Sequence, residues 1–199
     1  MKKFSILLVL ISLIFKSSFA NTYSPDPKFF IKELVSDSIS KLSDKSLTDE
    51  EKATFVKNIV TENVDVNALG LYTLGEIRKS TNANDLKRYQ DIFEKYFLKS
   101  LTSRLTDYSS NKIVIIDAEI KNSNYTIVKS KIVANTNKPE IKIDWRVYTK
   151  NPDRPLIRDL IVEGLSLART QKEEFSSILS SNNNDINILI SKLEEFIIK

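Results

Sequence analysis

Two carboxylates, Asp159 and Glu163, stand four residues apart at the end of an apolar strand pattern, and period-two alternation puts both on one face of that strand. Paired carboxylates can do acid–base work, one holding a proton while the other stays charged. Asp144 and Asp159 are the residues an enzyme would have for a base. Such an enzyme would work without histidine or cysteine, because the 199-residue chain has neither. Their absence removes Ser-His-Asp and Cys-His sites and the usual transition-metal ligand sets. A glycine-rich phosphate loop is also missing, since the chain has only three glycines, Gly70, Gly75 and Gly164. The expectation is therefore that Asp159 and Glu163 pair with Arg158, Arg169 or backbone groups at the strand's end. Tyr72, Arg78 and Arg146 are of types that meet a phosphate; solvation by water is the plain alternative for each arginine.

These groups depend on a strand that hands over to a helix. Leu160, Ile161 and Val162 read as an apolar strand that stops at Glu163-Gly164, after which Thr170 and Glu173 are spaced as a capping box and predict a helix start. Strand patterns lie near Lys112–Ala118, Tyr125–Ala134, Glu140–Thr149 and Leu156–Val162. The third alternates cleanly, with Ile141, Ile143, Trp145 and Val147 on one face and Lys142, Asp144, Arg146 and Tyr148 on the other. Short connections at 121–124 and 135–139 favour hairpins over crossovers. Asn151–Pro155 makes a stiffer last connection.

The helices precede and follow these strands. Asp26-Pro27 and the Thr48…Glu51 capping box each open one, with inner faces at Ile31, Leu34, Val35 and Leu42, and at Phe55, Val56, Ile59 and Val60. Residues 63–77 hold Gly70 and Gly75 and read as short helical pieces with close backbone approach. The longest helix is predicted from Asn84 to about Tyr108, its stripe running through Leu86, Tyr89, Phe93, Phe97, Leu101, Leu105 and Tyr108. A terminal helix presents Ile186, Leu189, Ile190, Leu193, Phe196 and Ile197 on one face. The expected fold class is α+β: an antiparallel four-stranded meander sheet covered by helices.

The first twenty residues read as an export signal, with Lys2 and Lys3 before an apolar run Phe4–Phe15 and Ser18-Phe19-Ala20 as the cleavage pattern. That run is short of the about 20 residues needed to span a bilayer. Removing 20 of 199 residues leaves 21–199, 179 residues and enough for a single domain with a substantial core. Lys2, Lys3 and Lys16 leave with the signal, so 27 of the 30 basic residues remain against 26 acidic ones. The mature chain is nearly neutral, which gives no ground for a nucleic-acid partner.

The handover stretch also resembles the signature of the MlaC-like (toluene-tolerance) family of periplasmic phospholipid-binding proteins, carried here by Asp159, Glu163, Gly164, Ser166, Leu167, Thr170, Lys172 and Phe175. Upstream, Asp65, Leu69, Leu74 and Gly75 match the family's short apolar helix, and Leu101, Leu105 and Tyr108 match the end of its long helix. The chain departs from the pattern where a tryptophan is common, having Ile77 or Arg78 there, and where leucine replaces the first tyrosine of the long-helix run. The resemblance runs from about Val60 to about Leu193.

That resemblance implies an apolar cavity between sheet and helices, where composition alone favours a filled core and periodicity does not distinguish the two. Burying one CH₂ is worth about 0.8 kcal/mol, so roughly 30 exposed methylenes would cost on the order of 20 kcal/mol, and a lipid needs shelter to cross water. The expected lining is Leu69, Leu74, Phe93, Phe97, Leu101, Ile143, Trp145, Val147, Leu160 and Val162, with Tyr72, Arg78 and Arg146 as head-group candidates. The family likeness further implies a soluble periplasmic carrier without cofactors or metal, a monomer. Such a carrier would exchange phospholipid between an outer-membrane lipoprotein complex and an inner-membrane ABC transporter bearing an MCE subunit, maintaining outer-membrane asymmetry. Two alternatives stay open from the residues: a small pocket enzyme on a cone-like α+β scaffold, marked by a carboxylate-floored cavity, and a periplasmic interaction adaptor without ligand, marked by a solid interior.

Overall fold

The structure, a computed structural model, describes residues 23–105, 112–134 and 139–199. The export-signal stretch and Tyr108 lie outside the described residues. Helices α1 (Pro27–Ser43), α2 (Asp49–Asn63), α3 (Val66–Thr73) and α4 (Ala83–Leu105) come first, with a 3-10 turn at Gly75–Lys79 between the last two. Strands β1 (Ile113–Asn122), β2 (Tyr125–Ile132), β3 (Ile141–Tyr148), β4 (Leu156–Val162) and β5 (Leu165–Ser166) follow, then α5 (Leu167–Ser180) and α6 (Ile186–Ile198). The strands pair antiparallel in sequence order, the predicted meander. Among the described residues a fifth, two-residue strand is added to the expected four.

The helix starts follow from their caps. The Asp26 carboxylate accepts from the Lys28 and Phe29 N–H groups at 2.9 and 3.0 Å, with Pro27 supplying a first position that needs no partner. Thr48 and Glu51 form both arms of a capping box, at 3.2 and 2.8 Å. The helix after β5 starts earlier than the Thr170…Glu173 spacing predicts. Its cap is Ser166, whose hydroxyl accepts from the Arg169 N–H at 3.1 Å, and the Thr170 hydroxyl turns back to the Ser166 carbonyl. The short hairpin that delivers Ser166 needs left-handed backbone at both turn residues, Glu163 at φ 49° and Gly164 at φ 82°. Glycine carries the second of these without strain.

Two packed cores result. One gathers α3, α4, α5 and α6 around Tyr89, Phe93, Phe175, Leu179, Leu189 and Ile190. Phe175 meets Tyr89 and Phe93 edge-on, its ring centroid 6.3 Å from that of Phe93. The α3 backbone lies against it so closely that a side chain at Gly70 would come within 3.0 Å of the Phe93 ring. The Tyr89 hydroxyl is buried there beside the Thr73 hydroxyl at 2.7 Å, and burial holds its pKa far above that of a free phenol. The other core lies under the sheet, where Phe30, Ile31 and Leu34 of α1 meet Val128, Val147 and Ile157 of β2, β3 and β4. Val64 packs against both. Its segment is tied to β4 by a parallel bridge to Ile157 and by the Asp65 N–H to the Ile157 carbonyl at 2.9 Å.

Candidate functional site

Between the two cores the inner face of the sheet does not meet the helices. A cavity of about 370 Å³ lies there, walled by α1, α2 and α4 with β1, β3 and β4 and the start of α5. Its lining is overwhelmingly aliphatic and aromatic. Ile39, Ile59, Phe97, Leu101, Trp145 and Leu160 point inward yet are only half-buried, the signature of side chains bordering unfilled space. Ser38, Thr73, Ser100 and Asp159 are scattered polar members of the lining, while Thr170, Gln171 and Glu174 cluster on the first turns of α5, where Thr170 and Glu174 are exposed.

Of the ten residues expected to line such a space, Leu69, Phe93, Phe97, Leu101, Trp145 and Leu160 do so. Leu74 does not, being 1% exposed inside the helical core. Val147 sits beneath α1 in the sheet-side core, fully buried. Ile143 and Val162 are register partners at the Glu163 end of the sheet, beyond the cavity wall. The expectation erred by treating a strand face as uniform along its length, whereas α1 fills one end of it. Much of the lining comes instead from α1 and α2, at Val35, Ile39, Leu42, Phe55, Ile59 and Val60. Their stripes are legible in the sequence, but nothing in a stripe says that it faces a void.

Trp145, the chain's one tryptophan, donates its indole N–H to the Ser130 hydroxyl at 2.9 Å, and that hydroxyl donates to the Ile143 carbonyl at 2.9 Å. Its polar edge is satisfied within the sheet, leaving the ring to face the cavity. Asp159, the one carboxylate on the sheet side of the lining among the described residues, is equally occupied. It accepts from the Ser166 hydroxyl at 2.6 Å and the Ala168 N–H at 3.0 Å, and pairs with Arg146 at 3.3 Å. Glu163 lies in the exposed turn and accepts from the Lys142 N–H. The two carboxylates thus act apart, each fastening backbone. The expected partners Arg158 and Arg169 are not theirs, because a bulge between Ile157 and Asp159 turns Arg158 toward Asp65. Arg158 donates to the Asp65 carboxylate at 2.8 and 2.6 Å and to the Tyr125 hydroxyl at 2.9 Å, and stacks 3.5 Å from the Tyr148 ring centroid. Asp65 also caps α3 through the Ala68 N–H, so this ion pair fixes α3 against the sheet.

A second concavity, an open groove of about 1010 Å³, lies on the opposite face of the same strands, between them and α3. Tyr72, Arg78 and Arg146 come together along it; none of the three lines the apolar cavity. Leu69 and Ala168 line both spaces, so the wall between them is one side chain thick. Among the described residues no cluster of three or more metal-ligating side chains occurs, and no helix is long and apolar enough to cross a membrane.

With this geometry in hand, comparison with known proteins is decisive at one point: the family model described as MlaC protein matches residues 32–195. The chain belongs to the MlaC family. The match takes in the cavity walls from α1 to α5 and most of α6, so both concavities fall within the MlaC region. The chain is also similar, at 25% identity over 145 residues, to the intermembrane phospholipid transport system binding protein MlaC of Haemophilus influenzae. That alignment spans 71% of this chain and 66% of the relative. Among solved structures it resembles a phospholipid-binding protein from Ralstonia solanacearum, determined in complex with a phospholipid. The TM-score is 0.68 at 19% identity, covering 84% of this chain and 94% of the other. That likeness shows the MlaC fold is shared: α+β, with the antiparallel sheet under helices.

Proposed function

We propose that this MlaC-family protein is a periplasmic phospholipid carrier that exchanges lipid between outer- and inner-membrane complexes and helps to keep the outer membrane asymmetric. The observation that carries the reading is the apolar hollow of about 370 Å³ between two otherwise packed cores. Natural interiors close such spaces because each unfilled contact forfeits dispersion energy, so a preserved hollow has an occupant. The lining selects that occupant: hydrocarbon is at home among Phe97, Leu101, Ile59 and Leu160, and a charged or hydrogen-bonding solute is not.

Acyl chains would lie against Trp145 and the α4 stripe, with the head group leaving past Thr170, Gln171 and Glu174, where the lining turns polar and meets solvent. Transfer between a bilayer and such a pocket is nearly isoenergetic, so direction is set by the membrane complexes and not by the carrier. The export-signal pattern at residues 1–20 accords with a periplasmic location. The name of the Haemophilus relative and the phospholipid in the Ralstonia structure support the same substrate class. An enzymatic role for Asp159 is disfavoured, because its oxygens are taken up by Ser166, Ala168 and Arg146.

The test is native mass spectrometry, with lipid extraction, of the mature protein purified from cells. A phospholipid adduct in a one-to-one ratio is expected. A protein that emerges lipid-free and takes up no phospholipid from vesicles rejects the carrier reading.

A further inference from the structure

We propose that the groove on the outer face of the sheet is a docking site for an acidic, extended polypeptide segment of the membrane complexes that load and unload the cavity. The identity of the docking body rests on the carrier reading; the chemistry of its segment rests on the groove alone.

Charge is the first argument. The mature chain is nearly neutral, with 27 basic residues after the first twenty against 26 acidic ones, yet the groove gathers Arg78, Lys121, Lys129, Arg146 and Arg158 against Glu119 and Asp144. Arg158 is committed to Asp65, but the rest keep donors to spare. Arg78 hydrogen-bonds only the Leu71 carbonyl, at 3.3 Å, among the described residues. Lys121 and Lys129 share the single carboxylate of Glu119, and their hydrogen bonds hold its pKa below the ordinary value, so it stays ionised. Among the described residues Arg146 makes one ion pair, to Asp159, and its side chain is 39% exposed. Past Tyr72 the groove continues into a shallower dip with Arg169 and Lys172 against Glu173.

Shape and chemistry then choose among anions. The cations line a concave trough floored by four strands, which the flat surface of a bilayer cannot enter, whereas an extended chain can. Arginine forks match carboxylates in pairs. Glu119 and Asp144 within the groove would repel a phosphate-dense surface, while an acidic segment with hydroxyl or amide side chains between its carboxylates can pass them. The Tyr72 and Tyr125 rings give such a segment apolar surface to lie on. Position is the third argument. Leu69 and Ala168 separate the groove from the cavity by one side chain, so a partner seated there stands beside the lipid it would deliver or receive.

The test measures binding of a fluorescent peptide of alternating aspartate and serine to the mature protein, alongside lipid content by native mass spectrometry. Arg78→Gln, Lys121→Gln and Lys129→Gln combined should weaken the peptide at least about tenfold with lipid content unchanged. Lys45→Gln, Lys57→Gln and Lys192→Gln combined remove the same charge from exposed positions outside the groove and should change binding less than about twofold. Equal weakening by both triples, preference of the wild type for phosphatidylglycerol vesicles through the groove residues, or displacement of the peptide by inorganic phosphate would each overturn the proposal. A wild type that holds lipid but ignores the peptide overturns docking alone, and one that binds the peptide but never holds lipid overturns the carrier reading alone.

Discussion

The helical core and the hollow under the sheet are built from the same kinds of residue and end in opposite states. Along α4 a single apolar stripe passes from one to the other: Tyr89 and Phe93 are 0% and 2% exposed against α5 and α6, while two turns on Phe97 and Leu101 are half-buried against empty space. The difference lies in what stands opposite. Phe175, Leu179, Leu189 and Ile190 reach into the upper half, where helix packs on helix. The lower half faces a sheet whose strands are tied to each other and to α3 through Asp65–Arg158, and are thereby kept from closing on α4. Rigid hydrogen-bonded supports, with Trp145 anchored through Ser130 and Asp159 fastening the start of α5, hold the hollow open.

Substitutions can break that contrast or sharpen it. Phe175→Ala, in the filled core, should destabilise the fold by about 3–5 kcal/mol in urea denaturation, since the void it makes is new. Ser38→Phe, aimed from α1 into the hollow, should lower phospholipid occupancy about tenfold while changing stability by less than about 1 kcal/mol; overpacking a filled core would cost more. Leu160→Ala should cost no more than about 1.5 kcal/mol, because it widens a space that already exists. If it cost as much as Phe175→Ala, the hollow would have to be filled in solution.

Thr48→Ala removes the cap of α2, a helix that walls the hollow through Phe55, Val56, Ile59 and Val60, and should cost about 1 kcal/mol while speeding lipid exchange. Its companion Glu51 has a pKa held below its ordinary 4.5 by the Thr48 backbone and hydroxyl hydrogen bonds. The group's contribution is therefore present above that ordinary value and lost as pH falls through the depressed one. Acid titration of Thr48→Ala should show a shallower loss than wild type in this range.

Much of the architecture was legible in the chain. Asp26-Pro27 and Thr48…Glu51 mark helix starts because their chemistry is local, and the alternation of β3 places Trp145 opposite Arg146 whatever lies beyond. The start of α5 misled because two hydroxyls compete for one cap, and the winner, Ser166, is selected by Asp159 seven residues upstream. The bulge at Arg158 was equally hidden, since an extra residue in one strand has no mark of its own in the pattern. It is this bulge that gives Arg158 to Asp65 and leaves Asp159 to Arg146 and Ser166.

By itself the sequence determined the elements, the order of a hairpin-linked sheet, the two-faced character of each strand and the absence of histidine and cysteine chemistry, because all of these depend on neighbours within a few positions. Only the tertiary structure decided which stretches of those apolar faces touch and which stand apart. Hydrophobic spacing records that a side chain must leave water, and it is the same whether the chain meets protein or a hydrocarbon guest; the distance between α4 and the sheet is fixed by contacts made elsewhere in the molecule.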